Sequence, residues 1–244
     1  MRWWILVFVA LAACGGPTEP IVPSSGGEDD DETVATGTPG PRSGGDPNAP
    51  SVQAEVGALD GAAVDEVTGR VRSKAEGCFE QANAKLPFPV IHGDLELTIR
   101  IRSDGTVRWV FPSKDELGHQ GITDCIAALL QAESWPKPEG GEEGIARASY
   151  GRGPEGRAPV PWGASDLGGA GQSLATELRS CKQRHGAERI SVTLYVDADG
   201  RVMSAGAAVD AGQAADAVTC AVRAARGKTF PSPGSFPAKV SLEG

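Results

Sequence analysis

The cysteines are the residues with the most chemistry open to them. Apart from Cys14, the chain holds Cys78, Cys125, Cys181 and Cys220. Such residues bind metal, act as nucleophiles or pair as disulfides. A zinc site needs further sulfur or nitrogen ligands at short spacing. Only Cys181 has a nearby histidine, His185, and the earlier cysteines have no matching partner, so no metal is expected. Asp197-x-Asp199-Gly200 opens like a calcium loop but lacks the closing glutamate, and a hairpin turn explains it better. No nucleophile elbow, metal-binding histidine pair or phosphate-cradling glycine loop is found. Neither an enzyme nor a cofactor is therefore expected. The remaining candidates are Arg100, Arg102 and Arg108, which share the polar side of one strand pair. They read either as a solvated face or as a binding face for an anionic glycan or acidic partner.

The cysteines belong to an internal duplication. Asp104-Gly105 is followed 21 residues later by Cys125, and Trp135-Pro136-x-Pro138 comes just after it. Asp199-Gly200 is followed 21 residues later by Cys220, with Phe230-Pro231-x-Pro233 after it. The same turn, cysteine and aromatic-Pro motif recur at the same offsets. Four cysteines allow three connectivities. The duplication favours Cys78–Cys125 and Cys181–Cys220, each joining the two helices of its own unit, with four buried thiols as the alternative. Closing each loop is worth on the order of 4 kcal/mol in the chain-entropy picture, which matters for units this small.

Each unit reads helix, strand, strand, helix, strand. Val64, Val67, Val71, Ala75, Cys78 and Ala82 form one helical stripe, which Pro87 and Pro89 stop. Leu95, Leu97, Ile99 and Ile101 alternate with polar residues, marking a strand with one wet face. A three-residue turn with Gly105 in a left-handed bulge pairs Ile101 with Val107 and Ile99 with Trp109. It would keep Val107, Trp109 and Phe111 on the apolar face. Ile122, Cys125, Ile126, Leu129 and Leu130 form the next helical stripe, and Ile145 to Tyr150 a last strand. In the second unit the helix stripe is Leu174, Leu178 and Cys181, followed by the alternating run Ile190 to Val196. A helix carrying Ala217, Cys220, Ala221 and Ala224 is capped by Gly227, and Ala238 to Leu242 closes the unit. Ser204 and Gly206 replace Trp109 and Phe111, so this Ala-rich copy is expected to be the less stable one. The fold class is α+β, with two tandem copies, each an antiparallel sheet with helices on one face. They occupy 57–151 and 170–244, joined by a linker over 152–169 in which Trp162 packs down.

The rest of the chain is a leader and a tether. Net charge is -9, but residues 15–56 hold eight acidic residues against Arg42 alone. The acidity belongs to the tether, and nothing favours nucleic-acid binding. Lacking large apolar side chains, residues 14–56 are expected to be a disordered spacer. Residues 1–13 carry Arg2 and then an apolar run too short to span a bilayer, as in a signal peptide. The ending Leu11-Ala12-Ala13-Cys14 resembles the lipobox of bacterial lipoproteins, which implies lipidation of Cys14 and membrane anchoring. Gly15 after it points to the outer membrane facing the periplasm rather than the inner membrane.

Asp104-Gly105-Thr106-Val107 with Trp135-Pro136, and Asp199-Gly200-Arg201-Val202 with Phe230-Pro231, resemble the C-terminal domain of TonB-type energy-transducing proteins. The paired cysteines and the leading helix are more similar to the cysteine-containing relatives found in gliding-motility-associated envelope proteins. The resemblance implies a module that binds partner peptides or envelope components along a sheet edge. Together these features lead us to expect a lipid-anchored envelope protein that binds or scaffolds an envelope protein or glycan. Self-assembly as a homodimer through the edge strands is the alternative.

Overall fold

A computed structural model describes residues 54–86 and 90–244. The leader, Cys14, the tether up to residue 53, and Pro87 and Pro89 lie outside the described residues. The first copy comprises β1 (Ala54–Gly57), α1 (Gly61–Asn83), β2 (Gly93–Arg102), β3 (Val107–Asp115), α2 (Gln120–Gln131) and β4 (Gly141–Arg152). The second comprises β5 (Val160–Pro161), α3 (Gly168–His185), β6 (Ile190–Val196), β7 (Val202–Val209), α4 (Ala215–Arg226) and β8 (Ala238–Glu243). Each forms its own four-stranded sheet, ordered β1-β4-β2-β3 and β5-β8-β6-β7. The architecture is the expected α+β pair of similar units.

Each copy also opens with a short strand that sequence patterning does not show. β1 pairs parallel to β4, and β5 parallel to β8. The residues expected to end the tether at 56 are thus already in a sheet. The stretch read as a linker contains β5, a 3-10 turn over Ala164–Leu167 and the start of α3. Trp162 packs against the second core.

The helices form where the stripes place them. Asp60 caps α1 by accepting hydrogen bonds from the Ala62 and Ala63 amides. Val67, Val71, Ala75, Cys78 and Phe79 of α1 are buried against Leu95, Leu97, Ile99 and Ile101 of β2 and Ile122, Ile126 and Leu130 of α2. Each such aliphatic side chain contributes about 1.5–3 kcal/mol on burial. The disulfides are Cys78–Cys125 and Cys181–Cys220, each joining the two helices of one copy at Cα separations of 5.9 and 5.8 Å. Gly227 is the C-cap of α4 as expected, at φ -78°, and Gly186, the C-cap of α3, is left-handed at φ 66°.

The recurring motifs meet in space. Gly105 (φ +87°) and Gly200 (φ +81°) turn the two hairpins, and a Cβ on them would lie 2.6 Å from the Trp135 carbonyl oxygen and 2.0 Å from that of Phe230. The Phe230 amide donates to the Gly200 carbonyl at 2.8 Å. The aromatic-Pro segment therefore lies across the glycine turn in each copy, which is why the two motifs travel together.

The hairpin register departs from the simple alternation. Ile101 pairs with Val107 as expected, but Arg100 pairs with Trp109 and Ile99 with Val110. A bulge at Arg108 inserts one residue and reverses the sidedness of β3 from Trp109 to Pro112, and a second shift at Ser113 restores it. Val110 packs into the first core, while Trp109 and Phe111 pack with the core of the second copy.

Those side chains mark the contact between copies. The second sheet has no wet face there: Thr193, Tyr195 and Ser204 are buried, with Thr193 Oγ1 donating to the Asp115 carbonyl at 2.8 Å and Ser204 Oγ to that of Gly118 at 2.7 Å. The Tyr195 hydroxyl accepts from the His92 amide and donates to the His92 carbonyl, both at 3.1 Å. A Cβ on Gly206 would sit 2.3 Å from Asp115 Oδ2, and one on Gly212 2.9 Å from the Trp109 ring. Ser204 and Gly206 are small because the first copy docks on them. They are not defects of the second core.

Candidate functional site

The open edge of the first sheet is set by the parity of β2. The Glu116 amide donates to the Asp94 carbonyl, and the Arg102 amide to the Thr106 carbonyl. Even-numbered residues of β2 therefore turn their peptide groups toward β3, and odd-numbered ones toward β4. Leu95, Leu97 and Ile99 face Tyr150, Ala148 and Ala146. Arg147, Ser149 and Gly151 accordingly direct their N–H and C=O groups away from the sheet. β1 pairs with β4 only as far as Gly144. Among the described residues, nothing pairs with these outward groups, and unpaired edge groups of this kind are a template for another strand.

Helix α1 runs beside that edge and turns it into a groove. Two adjoining clefts of about 230 and 210 Å³ lie between Asp65, Thr68, Arg72 and Glu76 on the helix and Arg147 to Gly151 on the strand. Tyr150 lines both. Its hydroxyl is buried and has no hydrogen-bond partner among the described residues, and burial pushes its pKa up to about 12. No described carboxylate pairs with Arg72, whereas Arg152 is held by Glu76 and Glu155. Arg72 is thus a cation at the groove with no described carboxylate on it, which suits an extended segment carrying a carboxylate.

The sequence-predicted arginines do not form one free basic surface. Glu143 lies between Arg100 and Arg108, 2.5 Å from each. Their hydrogen bonds, Arg108 first, hold the Glu143 carboxyl below its usual pKa range. Arg108 also stacks over the Trp109 ring at 4.1 Å. Arg102 turns back on its own hairpin, donating to the Val107 carbonyl at 2.9 Å and to Thr106 Oγ1 at 3.3 Å. Arg100 does line a cleft of about 420 Å³ between the open face of the first sheet and the second copy, together with Arg147, Arg189, Trp109 and Ile145. Glu96 and Asp210 are on the same walls, so its charge is nearly balanced.

Sequence reasoning missed Arg72, Arg147, Ser149 and Tyr150. Their significance depends on which way β4 faces, which only its pairing reveals. Cys181 is disulfide-bonded, and among the described residues no group of three His, Cys, Asp or Glu could hold a metal ion. Asp197 serves the turn, its Oδ1 accepting from the Asp199 and Arg201 amides. Compared with known proteins, the chain matches no family model, and no curated protein or solved structure is significantly similar to it.

Proposed function

We propose that this chain is a lipid-anchored binding or scaffolding protein of the bacterial cell envelope, one that takes an extended partner segment along the outer edge of β4. The observation that carries the reading is the run of outward peptide groups at Arg147, Ser149 and Gly151, beside a groove where, among the described residues, no carboxylate pairs with Arg72. Main-chain hydrogen bonds would supply affinity, and Arg72 a preference for an acidic residue or a terminal carboxylate. The anchor would be acyl chains on Cys14, on the outer membrane facing the periplasm. Among the described residues, no helix is long and apolar enough to cross a membrane. The motif resemblance to TonB-type C-terminal domains agrees with recognition along a sheet edge.

The test replaces an outward N–H without disturbing the β2 pairing. Ser149→Pro removes one edge donor, and proline is tolerated on edge strands. Capture of envelope components by the full chain should fall at least tenfold, while Gly169→Ala, in the second copy with nothing within 4 Å of the added Cβ, should leave it within about twofold. Equal capture by wild type and Ser149→Pro would end the edge reading. Chains that cross-link only to one another through this edge would favour self-assembly instead.

A further inference from the structure

The two disulfides are equivalent by duplication but sit in unlike surroundings. One helical turn after Cys78 and Cys125 stand Gln81, Ala82, Ala128 and Leu129, none of them charged. One turn after Cys181 and Cys220 stand Arg184, His185, Arg223 and Ala224. Lys74, the nearest cation along α1 from Cys78, is held by Glu133 at 2.8 Å. In the second copy, Arg223 has no ion-pair partner among the described residues, and Arg184 makes only a 3.4 Å contact with Ser180 Oγ.

The cysteines themselves are buried alike in the two copies, Cys78 and Cys181 fully and Cys125 and Cys220 in part, but the second pair lines an open groove. A groove of about 680 Å³ opens between α3 and α4, and both Cys181 and Cys220 line it. Its walls carry Arg184, His185, Arg223 and Lys228 against Glu177 and Asp216, and Lys228 is bonded to Glu177. Where the second copy has Ala224, the first has Leu129, which packs against its core beside Cys125. Replacing leucine by alanine at this position widens the space over the sulfurs. Cys220 is half-buried and Cys181 buried, so an incoming reagent meets Cys220 first.

We propose that Cys181–Cys220 is a thiol–disulfide exchange site for dithiols, whereas Cys78–Cys125 is structural. A thiolate of the dithiol attacks Cys220 Sγ. The Cys181–Cys220 bond breaks, and its electron pair leaves on Cys181 Sγ as a thiolate beside Arg184 and His185. The second thiolate of the dithiol then attacks its own sulfur in the mixed disulfide and releases Cys220 as a thiolate. The dithiol becomes a disulfide, two electrons pass to the protein, and the two thiol protons are free to go to the new cysteine thiolates. Neighbouring cations favour this course because they lower the leaving thiol's pKa and draw in the attacking anion. The site is independent of the β4 edge, so either reading can fail without the other.

The test exposes the full oxidised chain to dithiothreitol, with acid quenching, alkylation and peptide mass spectrometry at each time. Cys181 and Cys220 should be reduced at least tenfold faster than Cys78 and Cys125. Arg184→Gln with Arg223→Gln should bring the two rates within about threefold, and Arg184→Lys with Arg223→Lys should keep most of the difference. The first copy is an internal control, since a misfolded variant would expose both pairs together. Equal rates in the wild type, faster reduction of Cys78–Cys125, or a Gln double variant that behaves like the wild type would each overturn the proposal.

Discussion

Gly206→Ala tests whether the two copies dock as one body. In a freestanding second unit, Gly206 would sit on the solvent side of β7, and adding a methyl would stabilise the strand by reducing unfolded-state entropy, by about 0.4–1 kcal/mol. In the docked structure, that methyl would lie 2.3 Å from Asp115 Oδ2 and 2.8 Å from the His119 amide nitrogen. The backbone at Gly206 is not in the left-handed region, so the penalty is purely steric. Asp115 has little room to yield, because its carboxylate accepts from the Gly118 amide at 2.9 Å and from Thr123 Oγ1 at 3.0 Å. Overpacking of this kind costs about 1–3 kcal/mol, or roughly 3–10 °C in Tm for a body of this size. Gly69→Ala is the matched control: it lies within α1 with nothing within 4 Å of its Cβ and should raise stability by about 0.5–1 kcal/mol. Thermal unfolding followed by circular dichroism reads both. A Gly206→Ala protein at least as stable as the wild type would refute docking through the outer face of the second sheet.

Burial of Asp115 raises its pKa to about 6 from 3.8, so its ionised form opposes folding above pH 6. This group alone should make the protein more stable as pH falls through 6, with the gain complete below 3.8 and worth up to about 3 kcal/mol. His119 works the other way, because burial lowers its pKa from 6.5 and its protonation favours the unfolded chain. Urea unfolding at pH 7.5 and 5.0 should therefore show the gain as a difference between wild type and Asp115→Asn; parallel pH profiles would contradict it. Gly200→Ala should destabilise the second hairpin by more than 2 kcal/mol, since it combines a positive φ with a Cβ placed on the Phe230 carbonyl; a smaller loss in denaturant titrations would count against that contact. Cys14→Ala should release the protein from the membrane fraction and abolish palmitate labelling, and a variant that still labels would exclude Cys14 as the acylated residue.

The duplication made much of the fold legible. Repeated offsets between a glycine turn, a cysteine and an aromatic-Pro pair are dictated by contacts within each copy, such as Phe230 lying on Gly200. The helical stripes and the Ile101–Val107 pairing followed from periodicity in the same way. Periodicity failed at Arg108, where one inserted residue reversed the faces of Trp109 and Phe111. The small size of Ser204 and Gly206 could not be explained from periodicity either, because it answers to a neighbour from the other copy. The strands β1 and β5, of four and two residues, are too short to show a period. The groove at β4 was hidden for another reason: Arg72 comes from α1 and Arg147 and Tyr150 from β4, and the opening between them depends on β1 stopping at Gly144.

Amide hydrogen exchange of the full chain, alone and with the envelope fraction it retains, measures the β4 edge most directly. In the free protein, Arg147, Ser149 and Gly151 should exchange far faster than Ala146, Ala148 and Tyr150, whose amides face β2. With the partner bound, the three outward amides should become protected while the rest of the sheet stays unchanged. Uniform protection along β4 before any partner is added, or no change at those three amides on capture, would contradict recognition at this edge.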